Sequence, residues 1–178
     1  KERKIKEGFI KLLISDINSF RTLYDKYIGE EIENHNEENV FEHSLGVKQN
    51  YFSVFDNNSD KILYLDDETS RLVVQFYYRM KAHIDTILNY SEDLENYYKL
   101  QTRVEIHTEK DVFNIRDSQT PVSTKDLSRP EVKEAEVRLK GLFKFIKNDQ
   151  IELEKIARKT LSALKKQSKK YKKDQLVL

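Results

Sequence analysis

Asp56, Asn58 and Asp60 stand at the first, third and fifth places of a window with Leu63 eighth and Asp67 twelfth, the donor spacing of an EF-hand calcium loop. The sixth place of such a loop needs glycine for its sharp turn, and here it is Lys61. The twelfth is aspartate, shorter than the glutamate that grips calcium with both oxygens. The window therefore reads as a polar turn, with Asp66 or Asp67 capping the following helix by accepting a hydrogen bond from its free backbone N–H groups.

The other metal-binding side chains are His35, His43, His83 and His107. None forms HExxH, and none belongs to the paired Glu-x-x-His pattern of di-iron bundles. His83 lies nearest an apolar stripe, where a lone histidine reads as hydrogen-bonded packing. His35 and His43 share an acidic connection and offer at most a weak metal site. The absence of cysteine excludes disulfides, thiolate metal sites and cysteine nucleophiles. No G-x-S-x-G turn, Walker loop or dinucleotide fingerprint occurs, and four glycines give the backbone little means of cradling a phosphate. The expectation is a non-enzyme with no cofactor, no metal and no small-molecule substrate.

Two groups of residues could meet an anionic partner. Tyr77 and Tyr78 with Arg79 and Lys81 have the composition of a base-stacking platform, but adjacent tyrosines on a helix straddle core and solvent, so the rings read as half-buried packing. The second group is the lysine-rich end: Lys165, Lys166, Lys169, Lys170, Lys172 and Lys173. The net charge of +1 conceals this segregation. Nine basic residues and no acidic one lie from Lys155 to Lys173, whereas six glutamates and no Lys or Arg lie between Gly29 and Ser44. Such patches attract an oppositely charged surface or pair within the molecule.

The elements that must position these residues are helices. Residues 66–108 lack Gly and Pro and place Val73, Phe76, Met80, Ile84, Ile87, Leu94 and Tyr98 at steps of three and four or their sums, which predicts one amphipathic helix about 60 Å long. A first helix over 1–33 carries Phe9, Leu13, Ile17, Phe20, Tyr24 and Tyr27 as one stripe, widened by Ile10, Ile14, Leu23 and Ile28. Gly8 inside it marks fraying or a close helix crossing. A polar connection leads to a short helix over 47–56. After 108 the periodicity fails, and 109–128 reads as a loop. Ser128 and Glu131 form a capping box around Pro130 for a second long helix over 129–170, with Val132, Ala135, Leu139, Leu142, Ile146, Leu153, Ile156 and Leu164 along its apolar face. Residues 171–178 read as a frayed tail. The fold class is all-α: an elongated antiparallel bundle forming a single domain over 1–178, with two long helices, one medium N-terminal helix and one short helix.

The strings KLLISDINSFRTLYDKY and YFSVFDNNSDKILYLDDETSRLVVQFYYRMKAHID resemble the soluble part of small single-pass bacterial membrane proteins of unassigned function. The resemblance implies an anchor upstream of Lys1 and a helical cytoplasmic domain. It implies no activity and no site residues. The basic start KERKIK is what accumulates just cytoplasmic of a membrane span. The expected function is a helical scaffold or sensor domain at the inner face of a membrane, working through a protein partner or as a homodimer. The alternative is an anionic membrane surface, or less readily nucleic acid, bound through the lysine-rich end.

Overall fold

The computed structural model describes residues 2–42, 52–104, 123–125 and 127–173. The first helix, α1, covers Glu2–Tyr24 and passes through a π-turn at Asp25–Gly29 into α2, Glu30–Asn34. A short α3, Ser53–Asp56, and a 3-10 turn, Ser59–Tyr64, precede the long α4, Asp67–Gln101. Strands β1, Thr102–Val104, and β2, Ser123–Lys125, pair antiparallel with Arg103 opposite Thr124. The last helix, α5, spans Pro130–Lys173. The architecture is all-α with a small β-ladder at one end of the helical hairpin.

α4 and α5 run antiparallel along their shared length. Arg129 donates to the Leu100 carbonyl at 3.1 Å, Arg138 meets Asp93 at 2.9 Å, and the Thr160 hydroxyl reaches the Leu72 carbonyl at 3.2 Å. The Tyr171 hydroxyl reaches the Tyr64 carbonyl at 3.1 Å. α1 lies in the groove of this hairpin, parallel to α4 and antiparallel to α5. Tyr77 donates to Asp16 at 2.6 Å on one side, and Lys147 to the His35 carbonyl at 3.2 Å on the other. The chain then returns to its starting end. Phe41 packs at the level of Tyr90 and Phe143, and Phe52 and Phe55 at that of Phe20 and Tyr77. The 3-10 turn ends beside Lys6.

The apolar stripes are buried much as their spacing predicts. Val73, Phe76, Met80, Ile84, Ile87 and Leu94 of α4 meet Val132, Leu139, Phe143, Ile146, Leu153, Ile156 and Leu164 of α5 in one core. Tyr77 and Tyr90 are fully enclosed as well. Asp66 caps α4, accepting from the Thr69 N–H at 2.8 Å.

Several boundaries move. α4 ends at Gln101 rather than 108, because Thr102–Val104, within the predicted helix, pairs with Ser123–Lys125, within the predicted 109–128 loop, of which 109–122 and 126 lie outside the described residues. α5 continues to Lys173, past the expected frayed end at 171, because Leu164 and Gln167 are buried and Tyr171 is tied to Tyr64. Of the short helix expected over 47–56, only Ser53–Asp56 is α-helical among the described residues. Tyr27, placed in the α1 stripe, is 60% exposed, while Ile28 and Ile32 are buried.

The π-turn is the reason. Phe20, Tyr24, Ile28 and Ile32 are spaced by fours, and in a regular α-helix each step of four walks about 40° around the axis. A wider turn at Asp25–Gly29 absorbs that drift and keeps all four side chains on the core. Tyr27 and Leu23 are left outside.

Gly8 is not at a helix crossing, since a Cβ there would meet nothing within 4 Å, and the same holds for Gly141. Gly8→Ala and Gly141→Ala should each stabilise the fold by ~0.5–1 kcal/mol in urea denaturation, because alanine restricts the unfolded chain without a clash. Phe143→Ala should cost about 3–5 kcal/mol by the same measurement, since its ring is fully buried against Phe41 and Tyr90.

Candidate functional site

The groove between α1 and α5 is not fully closed. It holds a cleft of ≈ 770 Å³, floored by Phe20, Phe76, Met80 and Leu153 and edged by Tyr24, Gly29 and Gln150 at the π-turn. Arg21, Glu154 and Arg158 stand at its mouth, where Arg21 Nε and Arg158 Nε reach the same carboxylate at 2.9 and 2.7 Å. Gly29 fits its place by size: a Cβ would stand 3.1 Å from Asp25 Oδ1 and 3.5 Å from Gln150 Nε2.

Behind the cleft runs a buried polar chain that joins all three long helices. His83 of α4 is 1% exposed. Its Nδ1 lies 2.9 Å from Asp149 Oδ2 of α5, and its Nε2 lies 2.7 Å from the Tyr24 hydroxyl of α1. Asp149 also accepts from Arg79 at 2.9 Å, so the carboxylate is held by two residues one turn apart on the same face of α4. Tyr24 stands 3.3 Å from Gln150 Oε1, and Gln150 Nε2 stands 3.3 Å from the Gly29 carbonyl. A π-turn, a cleft and a buried titratable group coincide here, which makes this region the candidate site.

Burial sets the electrostatics. It lowers the His83 pKa from its ordinary 6.5, against the upward pull of the Asp149 carboxylate. It raises the Tyr24 phenol far above its usual range, and the nearby charges of Asp25 and Asp149 add to this. Tyr77 is raised in the same way, first by burial and then by its hydrogen bond to Asp16. Tyr24 and Tyr77 are thus hydrogen-bonding groups at physiological pH and carry no charge. Asp25 is raised by burial and by Glu154 across the cleft mouth.

The lysine-rich end stands elsewhere. Lys165, Lys166, Lys169 and Lys170 are exposed on the last turns of α5. The Lys172 and Lys173 side chains lie outside the description. The turn Asp56–Asp67 is not arranged as a cation cage. Asp56 pairs with Lys81 at 2.6 Å, and Asn58 is spent on the Val54 carbonyl and the Lys61 ammonium. The residues Tyr77, Tyr78, Arg79 and Lys81 do not form a stacking platform: Tyr77 is buried, and Arg79 and Lys81 are in ion pairs. His35 is packed edge-on against Phe41 and Phe143, while His43 and His107 lie outside the described residues. Among the described residues, no three His, Asp or Glu side chains converge as metal ligands would.

The spacing puts Tyr24 on the α1 stripe and His83 beside that of α4, but nothing local in the sequence joins the two. Their partners lie 59 and 66 residues from His83, and no local pattern encodes such pairs. A pointer was present in the spacing by fours from Phe20 to Ile32, which an α-helix cannot keep on one face.

His83 binds a proton less readily in the folded chain than in the unfolded one, so its contribution to stability is complete above about pH 6.5 and is lost as pH falls through the lowered folded value. Urea midpoints measured from about pH 8 to about pH 5 should fall more steeply below pH 6.5 in the parent protein than in His83→Gln, which has no proton to take up. No known protein family, curated protein or solved structure matches this chain.

Proposed function

We propose that the chain is a non-catalytic helical scaffold or sensor domain that stands end-on at an anionic membrane surface and works through contacts with a protein partner or a second copy. The observation that carries this reading is that the basic start of α1 and the lysine-rich end of α5 share one end of the bundle. The Lys6 ammonium lies 5.4 Å from the centre of the Tyr64 ring, and the Tyr64 carbonyl accepts from Tyr171 of α5. Exposed Lys4 therefore joins Lys165, Lys166, Lys169 and Lys170 on one terminal surface. Tyr64 precedes α4, so Lys169 and Lys170 stand beyond the acidic first turn of that helix, Asp67 and Glu68. Glu2 and Glu7 offset part of the charge by pairing with Lys6 and Lys11, both at 2.8 Å.

A basic surface of this kind is attracted to anionic lipid by ~1 kcal/mol per lysine within a Debye length, about fivefold in affinity each. Among the described residues, no helix is long and apolar enough to cross a membrane. Contact with the bilayer would be peripheral for these residues. Ile5, Leu12 and Leu23, spaced on one side of α1 and each more than 40% exposed, support the contact with protein or with a second copy.

Co-sedimentation with phosphatidylcholine vesicles, with and without phosphatidylserine, tests the proposal. The parent protein should pellet with the anionic vesicles only, less so at high salt. The variant K165E/K166E/K169E/K170E, whose changes are all exposed, should lose at least ~100-fold in affinity. Binding equal in parent and variant would overturn the assignment. Salt-sensitive binding to duplex DNA without vesicle binding would move the function to nucleic acid.

A further inference from the structure

The polar chain behind the cleft does not have enough protons in its neutral form. The Tyr24 hydroxyl carries one proton and faces two acceptors, His83 Nε2 at 2.7 Å and Gln150 Oε1 at 3.3 Å. The Asp149 carboxylate requires the imidazole proton on Nδ1. A neutral His83 must then take the Tyr24 hydrogen on Nε2, leaving the Tyr24 oxygen against the Gln150 oxygen with no proton between them. Rotating the Gln150 amide does not help, since its oxygen would then face the Gly29 carbonyl now reached by Nε2.

An imidazolium satisfies every member. Its Nε2–H donates to the Tyr24 oxygen, the Tyr24 proton passes to Gln150 Oε1, and the Gln150 amide donates to the Gly29 carbonyl. We infer that His83, Tyr24 and Gln150 form a proton-operated latch, in which one proton taken up from solvent at His83 Nε2 turns the Tyr24 hydroxyl toward Gln150 and fastens α5 to the π-turn of α1.

The charges around His83 come from each helix packed on it. α5 supplies Asp149, which favours the imidazolium, and α4 supplies Arg79, which opposes it. α1 supplies the neutral Tyr24, with Asp25 beyond it. Burial favours the neutral ring. The two states differ in one proton and one hydroxyl rotation, and no bond between heavy atoms is made or broken. Because Tyr24, Gly29 and Gln150 line the cleft, the latch acts on its edge. The neutral state leaves Gln150 with an unfavourable contact, and the protonated state holds the cleft wall at both ends of the amide. This inference stands independently of the membrane reading, since it concerns the isolated chain.

Side-chain 15N NMR of the whole chain through an acid titration tests it, with His83 assigned by its loss in His83→Gln. The Nε2 resonance should pass from unprotonated acceptor to protonated donor. The Gln150 side-chain amide and the backbone amides of Asp25–Gly29 should move with the same midpoint. In Tyr24→Phe, His83 should still titrate while the Gln150 response falls to background. In Gln150→Leu, the His83 midpoint should move to lower pH, because the Tyr24 proton has lost its acceptor. A Gln150 response that ignores His83, one that persists in Tyr24→Phe, or an unchanged midpoint in Gln150→Leu would overturn the latch. So would loss of helical circular dichroism before His83 titrates.

Discussion

The antiparallel seam between α4 and α5 is the constraint on which the rest of the molecule depends. Two helices of 35 and 44 residues, about 50 and 65 Å long, bury matching stripes over most of their shared length. A pair alone leaves a groove open on each side. α1 fills one edge of the hairpin, and the returning chain lays Phe41, Phe52 and Phe55 against it. The positions of His83 and Asp149 follow from this register, since the pairs Asp93–Arg138 and Leu72–Thr160 bracket them along the same seam. Burial of a histidine is tolerable there because both ring nitrogens find partners on other helices.

The three main helices were legible in the sequence because periodicity is local. Val73 to Leu94 and Val132 to Leu164 repeat at helical steps, and the structure buries them as read. The Asp66 cap was legible for the same reason, needing only its next few residues. The strands were not. Thr102–Val104 and Ser123–Lys125 are three residues each, too short for an alternating pattern to stand out, and each finds its partner about twenty residues away in the sequence. The shared end of the two basic segments was also illegible, because it depends on whether residues 35–66 return the chain. The aromatic steps Phe41, Phe52 and Phe55 are what bring it back.

The two regions of interest differ physically. The basic end presents Lys165, Lys166, Lys169 and Lys170 to solvent, and exposed charges of one sign act additively, with an effect that salt weakens. The polar chain from Arg79 to Gly29 has distances between 2.7 and 3.3 Å, and the number of protons it holds decides which of its groups are satisfied. A charge lost from the first region would weaken the proposed attraction in proportion. A single hydroxyl lost from the second changes which groups can be satisfied at all.

The π-turn at Asp25–Gly29 holds one residue more than an α-helical hydrogen-bond pattern requires. A chain shortened by one residue at this point would keep an unbroken helix from Glu2 to Asn34 and would lose nothing in local propensity. The wider turn already takes up about the rotation of one residue, so the segment after the deletion would keep nearly its present face, with Ile28 and Ile32 still on the core beside Tyr24. Asp25–Gly29 is therefore a place where the chain carries one residue of slack, removable with little change in which side chains face inward. A residue added there would have no further slack to absorb it and would turn everything after it by about 100°.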